Sequence, residues 1–384
     1  MKKAPDIKKS LRRKVFALIA VALAFGILII IRQFQSASEF WTRTYYRFLQ
    51  SAFGPLASLV PFSLAEAFFI LFGAALVILV VFIIVDLAKK RYWPSLDKLA
   101  MLSLVTLTTF ACYFSTAGIA YGRSEVDIPQ YQGEVEYTRY VEVVEHFIAD
   151  FNYCASELDF DESGSVIKPY TIAELSVLLK MEYAELESDY FVAFTPNVKP
   201  MFLSFLFTEF HITGVFFAPT TEPNVNYLTT DAQIASTMAH EIAHAKGAMR
   251  EEDANLVAAY ILLNSDDPYL RYSGYITTFY SIIGLADYVG DDDKHHELYN
   301  SLSPDIRSDC KYMSEYWKAH DLLDDIATWF NNLYLSIVGN EGVSSYVDSP
   351  TTGETTDPDT GETISYIEEF SPFQKLYLHF FFED

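Results

Sequence analysis

The sequence predicts a membrane-anchored, mainly α protein in which three N-terminal transmembrane helices are followed by a helix-rich α+β domain outside the cytoplasm. Three observations predict it. The chain is 51% hydrophobic with a mean hydropathy of +0.14, so part of it is built for an apolar solvent. Its longest apolar runs all fall before residue 122. Its charge is divided at the same place: residues 1–121 carry 14 Lys/Arg against 5 Asp/Glu, net +9, and the remaining 263 carry 13 against 46, net −33.

The apolar runs are Val15 to Ile31, Leu64 to Leu87 and Leu99 to Tyr121, each long enough to cross a bilayer. The first is the shortest. At about 1.5 Å per residue it reaches roughly 25 Å, so Lys14 and Arg32 must snorkel to the interfaces. Lys2, Lys3, Lys8, Lys9, Arg12, Arg13 and Lys14 precede the first run, and Lys89, Lys90, Arg91 and Lys98 separate the second from the third. Basic residues of short loops stay in the cytoplasm, which places the N-terminus inside, and the 33–63 loop and everything after Tyr121 outside. Ser36-Ala37-Ser38 loosely resembles a signal-peptidase site, and cleavage there would leave the later topology unchanged. Residues 1–121 are thus expected to be the anchor and 122–384 the extracytoplasmic domain of a multi-pass cell-membrane protein. A domain with net charge −33 repels nucleic acid, which excludes that partner. The three cysteines make no framework: Cys112 lies in a span, and Cys154 and Cys310 either pair or stay free.

Along the outer domain, apolar residues at Tyr140, Val141, Val144, Phe147 and Ile148 recur at helical spacing and predict a helix over 137–151. Thr171 with Glu174 is a capping-box signal for a second helix to about Glu187. The apolar run Met201 to Phe210 suggests another. Gly214 to Ala218 and Asn224 to Asn226 read as extended segments around Pro219. Asp231 is placed to cap the helix that carries His240 and His244, and further helices are expected at 251–263, 271–285, 304–320 and 322–338. The polar, twice-repeated Thr-Gly-Glu-Thr stretch at about 348–362 reads as a mobile insertion or hairpin. The run Phe373 to Phe382 is too short to span a membrane and is expected to dock on the domain.

The chemistry is concentrated in His240-Glu241-Ile242-Ala243-His244. Histidines four apart project from one helix face, so both imidazoles can reach one tetrahedral Zn²⁺. Glu241, beside the first ligand, is placed to take the proton of a water that the metal acidifies. A catalytic zinc has three protein ligands, so a third is needed. Gly247 stands where metzincins have a turn glycine, but Arg250 occupies their third-ligand position and a cation cannot ligate. The acidic cluster Glu251-Glu252-Asp253 offers the alternative, a carboxylate from the following helix as in gluzincins. Acidic residues also favour a helix N-terminus for its dipole alone.

Taken in order, Val198-Lys199-Pro200, Ile212 to Phe217, Thr221 to Asn226, His240 to His244, Arg250 to Asn255 and Asn264 to Tyr275 resemble a bacterial membrane-protein family, a domain of unknown function. That family joins N-terminal transmembrane helices to an extracytoplasmic, gluzincin-like HExxH domain. The resemblance covers most of residues 1–346. It implies a zincin-like fold and zinc hydrolase chemistry with one Zn²⁺ per chain, and brings no substrate. The family's helix after the histidines reads Glu-Ala-Asn where this chain has Asp253-Ala254-Asn255, so the resemblance implies Asp253 as third ligand, one methylene short, with Glu252 as competitor. By the same likeness, the strand of Asn224 and Asn226 would run along the cleft and pair with an extended substrate; ordinary turn chemistry explains the two asparagines equally well. Tyr272 and Tyr275 would face a developing oxyanion, although packing accounts for most of 26 tyrosines.

The leading expectation is a metallopeptidase acting on peptide or amide bonds of extracytoplasmic peptides or proteins. A second is a non-catalytic binding or sensor protein on a degenerate zincin scaffold, which the shortened Asp253 keeps open. An intramembrane protease is disfavoured, because the histidines lie more than a hundred residues beyond the last span.

Overall fold

The computed structural model describes residues 6–186, 188–288, 292–323, 328–329, 332, 349–356 and 363–383. The chain divides into two compact units, Met1–Ser124 with Phe217–Glu222, and Glu125–Phe216 with Pro223–Asp384.

The first unit contains three helices long and apolar enough to cross a membrane. Helix α1 (Ile7–Arg32) begins two turns before its apolar run, because Asp6 accepts the Lys9 backbone N–H and caps it among the basic residues. A nearly continuous helical path follows: α2 (Gln35–Trp41), one π turn, then α3 (Arg47–Ser58). Ser63 caps α4 (Leu64–Ala88) by accepting the Glu66 N–H, and the Glu222 carboxylate accepts those of Leu64 and Ala65. Helix α5 (Tyr92–Tyr113) ends in a π turn at Phe114–Gly118 and a 3₁₀ turn at Ala120–Gly122. Lys14 pairs with Asp97 at 2.6 Å and Lys98 with Asp86 at 2.5 Å, which ties α1 to α5 and α4 to α5 at the end bearing the basic clusters.

In the second unit, α6 (Tyr140–Ser156) buries Val143, Val144, Phe147, Ile148 and Phe151 along one face. The Thr171–Glu174 capping box opens α7 (Ile172–Glu182) with both of its reciprocal hydrogen bonds formed. The Met201–Phe210 run contributes only the short α8 (Ser204–Glu209). Strands β1 (Lys199–Pro200), β2 (Gly214–Phe217) and β3 (Glu222–Val225) form a sheet in the order β1-β3-β2. β1 runs parallel to β3, with Lys199 opposite Asn224.

Three helices pack on one another behind this sheet: α9 (Asp231–Ala245), α10 (Glu251–Leu263) and α11 (Pro268–Ile283). Asp231 does not cap α9. It lies inside the first turn, where its carboxylate takes the backbone N–H and the ammonium of Lys168, and Thr230 holds the cap position. The N-terminus of α9 is held by α11 instead, through Tyr269 Oη on the Asp231 carbonyl and Ser273 Oγ on that of Ala232.

Helices α12 (Asp292–Ser301) and α13 (Pro304–Ala319) follow, and the helix expected at 322–338 lies mostly outside the described residues. Of the two forms expected for the insertion, the described part takes the paired one: Thr351–Thr356 (β4) pairs antiparallel with Thr363–Glu369 (β5), because alternating Thr, Ile and Tyr favour a strand. Residues 348 and 357–362 are outside the described set. Helix α14 (Pro372–Glu383) buries Phe373, Leu376, Tyr377 and Leu378 against α10 and α11. Cys154 is a buried free thiol and Cys310 a half-buried one, and burial raises their pKa values to about 11 and about 12.

Candidate metal centre

Helix α9 is buried almost all round, so every polar group on it must be satisfied by protein or ligand. Just beyond its end at Ala245, Gly247 has a φ of +107° and turns the chain back in a conformation that favours glycine. The Gly247 and Ala248 N–H groups close the turn onto the carbonyls of His244 and Ala243. The loop is so short that the first turn of α10 returns to the C-terminal half of α9.

The residue this brings to the histidines is Glu251, at the first position of α10. Its Oε2 lies 3.2 Å from His240 Nε2 and 3.5 Å from His244 Nε2. One ligand atom from each of His240, His244 and Glu251 lies within 4.8 Å of the other two, and all three side chains are less than a fifth exposed. His244 Nδ1 donates to the Ala248 carbonyl at 2.7 Å, which leaves Nε2 as the nitrogen that faces Glu251 and would be offered to a metal. Of the acidic cluster, neither Asp253 nor Glu252 joins this group. Residues on a helix advance by about 100°, so 251 and 253 point to nearly opposite sides. Asp253 meets the Arg250 guanidinium, and Glu252 stays half exposed with Arg250 Nε 3.6 Å away.

Burial, opposed by the two histidines, raises the pKa of Glu241 to about 7. Its Oε2 is buried and meets no hydrogen-bond donor among the described residues. For His244, burial disfavours the charge, yet the facing Glu251 carboxylate prevails and raises the pKa to about 9; Glu251 itself, despite burial, is held well below the usual carboxylate range by His244 and His240. Two imidazoles, one ionised carboxylate and an unsatisfied glutamate beside them match the ligand types of a divalent zinc site with an open position, where a bound metal would take the place of the proton that His244 carries toward Glu251.

Strand β2 closes one side. A Cβ placed on Gly214 would lie 2.5 Å from Glu241 Oε1, 2.7 Å from its Cγ and 2.8 Å from Thr237 Cγ2, so only glycine lets the strand pass this close. The Phe216 ring stacks near His244, with centroids 6.2 Å apart. β2 is the edge of its sheet. β3 is the central strand, paired on both sides, which leaves the strand of Asn224 no edge for a substrate. Asn224 Nδ2 donates to the Val215 carbonyl. Asn226 donates to Thr208 Oγ1 and the Ile212 carbonyl and accepts the Leu228 N–H, so it fastens the loops around the sheet.

Tyr272 and Tyr275 are also placed elsewhere than expected. Tyr272 donates to Asp309 at 2.7 Å and Tyr275 to Asp150 at 3.1 Å, and both rings pack on Phe151 in the core of α6 and α11. Sequence reasoning passed over Gly214 and named Asp253 and Glu252, whereas the member of the acidic cluster that lies against the histidines is Glu251. A signal for Glu251 did exist: the carboxylate nearest a tight turn is the one carried back toward the preceding helix.

These features describe a mainly helical protein with N-terminal helices able to cross a membrane and a buried cluster of two histidines and two glutamates. The family model described as "Protein of unknown function (DUF3810)" matches residues 41–350, and the chain belongs to that family. No curated protein and no solved structure matches it.

Proposed function

We propose that this protein is a membrane-anchored zinc metallohydrolase of the peptidase class, zincin-like in its second unit, with His240, His244 and Glu251 as the zinc ligands and Glu241 as the general base. The observation that carries the reading is the convergence of those three ligand atoms beside a buried glutamate oxygen with no hydrogen-bond donor. Zinc held there would polarise a substrate carbonyl and acidify a water. Glu241, with a pKa raised to about 7, would accept the proton of the attacking water and pass it to the leaving amine. The Ala248 carbonyl fixes the His244 tautomer, and the free edge of β2 suits backbone pairing with an extended peptide. The basic clusters before α1 and between α4 and α5 support a cytoplasmic N-terminus and a second unit outside the cytoplasm. With Glu251 as ligand, the sensor reading loses the shortened Asp253 that motivated it.

Metal analysis of the purified full chain in detergent tests the proposal. The expected result is about one zinc per chain, lost in His240→Ala; a wild-type chain that stays metal-free after zinc loading overturns it.

A further inference from the structure

The segment between α1 and α4 is amphipathic in an unusual sense, because its apolar side is the exposed one. On the helical path from Gln35 to Ser58, the buried positions are Ser38, Thr42, Tyr46, Gln50, Gly54 and Ala57, mostly small or polar and about four residues apart. Phe48, Leu56 and Leu59 lie at helical spacing on another face, with Phe53 beside them, and are 66%, 60%, 80% and 51% exposed. Arg43, Arg47 and Ser51 run along the flank. A helix that turns small residues inward and large apolar ones outward gains nothing from water on that side.

We propose that α3, with the turn into α4, lies in the membrane interface, its Phe48–Phe53–Leu56–Leu59 face inserted at the headgroup and acyl boundary of the leaflet where α1 ends and α4 begins. Continuity with the spans selects the bilayer as occupant. Only Gln33 and Phe34 separate α1 from α2, and only Leu59 to Ser63 separate α3 from α4; Phe34 and Phe62, at these junctions, are 60% and 58% exposed. The aromatic pair Trp41 and Tyr45, with ring centroids 4.9 Å apart, stands at the depth where amphipathic rings collect, and Trp41 Nε1 donates to the Ser115 carbonyl. Arg43, paired through Nε with Glu39 yet 45% exposed, can also reach lipid phosphates. The helix would set the depth and tilt of the anchor, a role separate from the chemistry proposed above.

The full chain, reconstituted in phosphatidylcholine–phosphatidylglycerol vesicles with a nitroxide at Phe48→Cys, Leu56→Cys or Arg43→Cys, tests this. The first two labels should be several-fold more accessible to oxygen relative to a water-soluble nickel chelate than the third. A photoactivatable lipid on the unsubstituted chain should leave adducts on peptides covering Phe48 to Leu59, a readout independent of any variant. Equal accessibility at the three positions, or adducts confined to α1, α4 and α5, overturns the proposal. So does efficient Leu56→Cys disulfide crosslinking between two chains with no lipid adducts, which would assign the face to a second copy.

Discussion

Asp253 faces Arg250: its Oδ2 and Oδ1 lie 2.7 Å and 3.0 Å from the guanidinium Nε and Nη2, in a pairing that both closes the start of α10 and neutralises a partly buried arginine. Glu251, two residues earlier and about 200° around the helix, is thereby left to face the histidines. The two carboxylates should separate on mutation. Glu251→Ala should lose zinc, while Asp253→Ala should keep it and destabilise the protein by about 1–3 kcal/mol, because a partly buried arginine loses its hydrogen-bonded partner. Glu252→Ala should cost only about 0.3–1 kcal/mol. Zinc titration and denaturant unfolding of the three variants decide it; metal lost from Asp253→Ala and kept by Glu251→Ala would overturn the assignment.

Gly214→Ala should impair the site without removing a ligand. Its methyl group would press on Glu241 Oε1 and Cγ and on Thr237 Cγ2, so strand or carboxylate must give way, at about 1–3 kcal/mol of overpacking. The expected variant binds zinc normally, unfolds earlier and turns over more slowly. Unchanged stability and turnover would mean that β2 has room to retreat.

Where local pattern alone decides, the sequence was easy to read. The capping box at Thr171 formed as expected because both of its partners lie within one helical turn. The helix at Leu64–Ala88, long and apolar enough to cross a membrane, is legible because its apolar run is nearly unbroken. What local pattern leaves open depends on rotation or on distant partners. Choosing among Glu251, Glu252 and Asp253 requires the phase of α10 to within about 100°, and that phase is set by the turn at Gly247 and by Arg250. Tyr272 and Tyr275 have the right chemistry for an oxyanion, yet their partners Asp309 and Asp150 lie 37 and 125 residues away, beyond any local signal. Asn226 likewise works through Thr208 and Ile212, on the other side of β2.

Glu241→Gln preserves shape and removes the proton acceptor. Zinc content should match the wild type, and turnover on an identified peptide should fall by about 10²–10⁴-fold, the usual contribution of a general base. Wild-type turnover in this variant would remove Glu241 from the mechanism while leaving the metal centre standing.

Topology has its own test. Single cysteines at Asn300, on α12, and at Pro94, at the start of α5, should report opposite sides of the membrane, the first labelled by an impermeant thiol reagent in intact cells and the second only after lysis. The reverse pattern would place the second unit in the cytoplasm and remove the ectoenzyme reading.

Glu39 provides a pH-dependent test of the first unit. Its Oε2 lies 3.1 Å from Nη2 of the buried Arg123 and 3.0 Å from Arg43 Nε, and its Oε1 accepts from the Ser124 N–H and Oγ. Burial acts against the charge, yet Arg123, Ser124 and Arg43 together lower the pKa from 4.5 to about 2. A carboxylate whose pKa is depressed by folding stabilises the fold above its unfolded value and loses that contribution as pH falls through the folded one. Stability supplied by Glu39 should therefore be complete above about pH 4.5 and gone near pH 2. Many other carboxylates titrate in the same range, so the informative quantity is the difference between the wild type and Glu39→Gln. In detergent-solubilised full chain, the wild type should melt at a higher temperature than the variant at pH 7, and the gap should narrow steadily below pH 4.5 as Glu39 takes up its proton. A gap of constant size from pH 7 to pH 3 would mean that Glu39 supports the fold by shape and neutral hydrogen bonds alone, and that its charge adds nothing to the hold on Arg123.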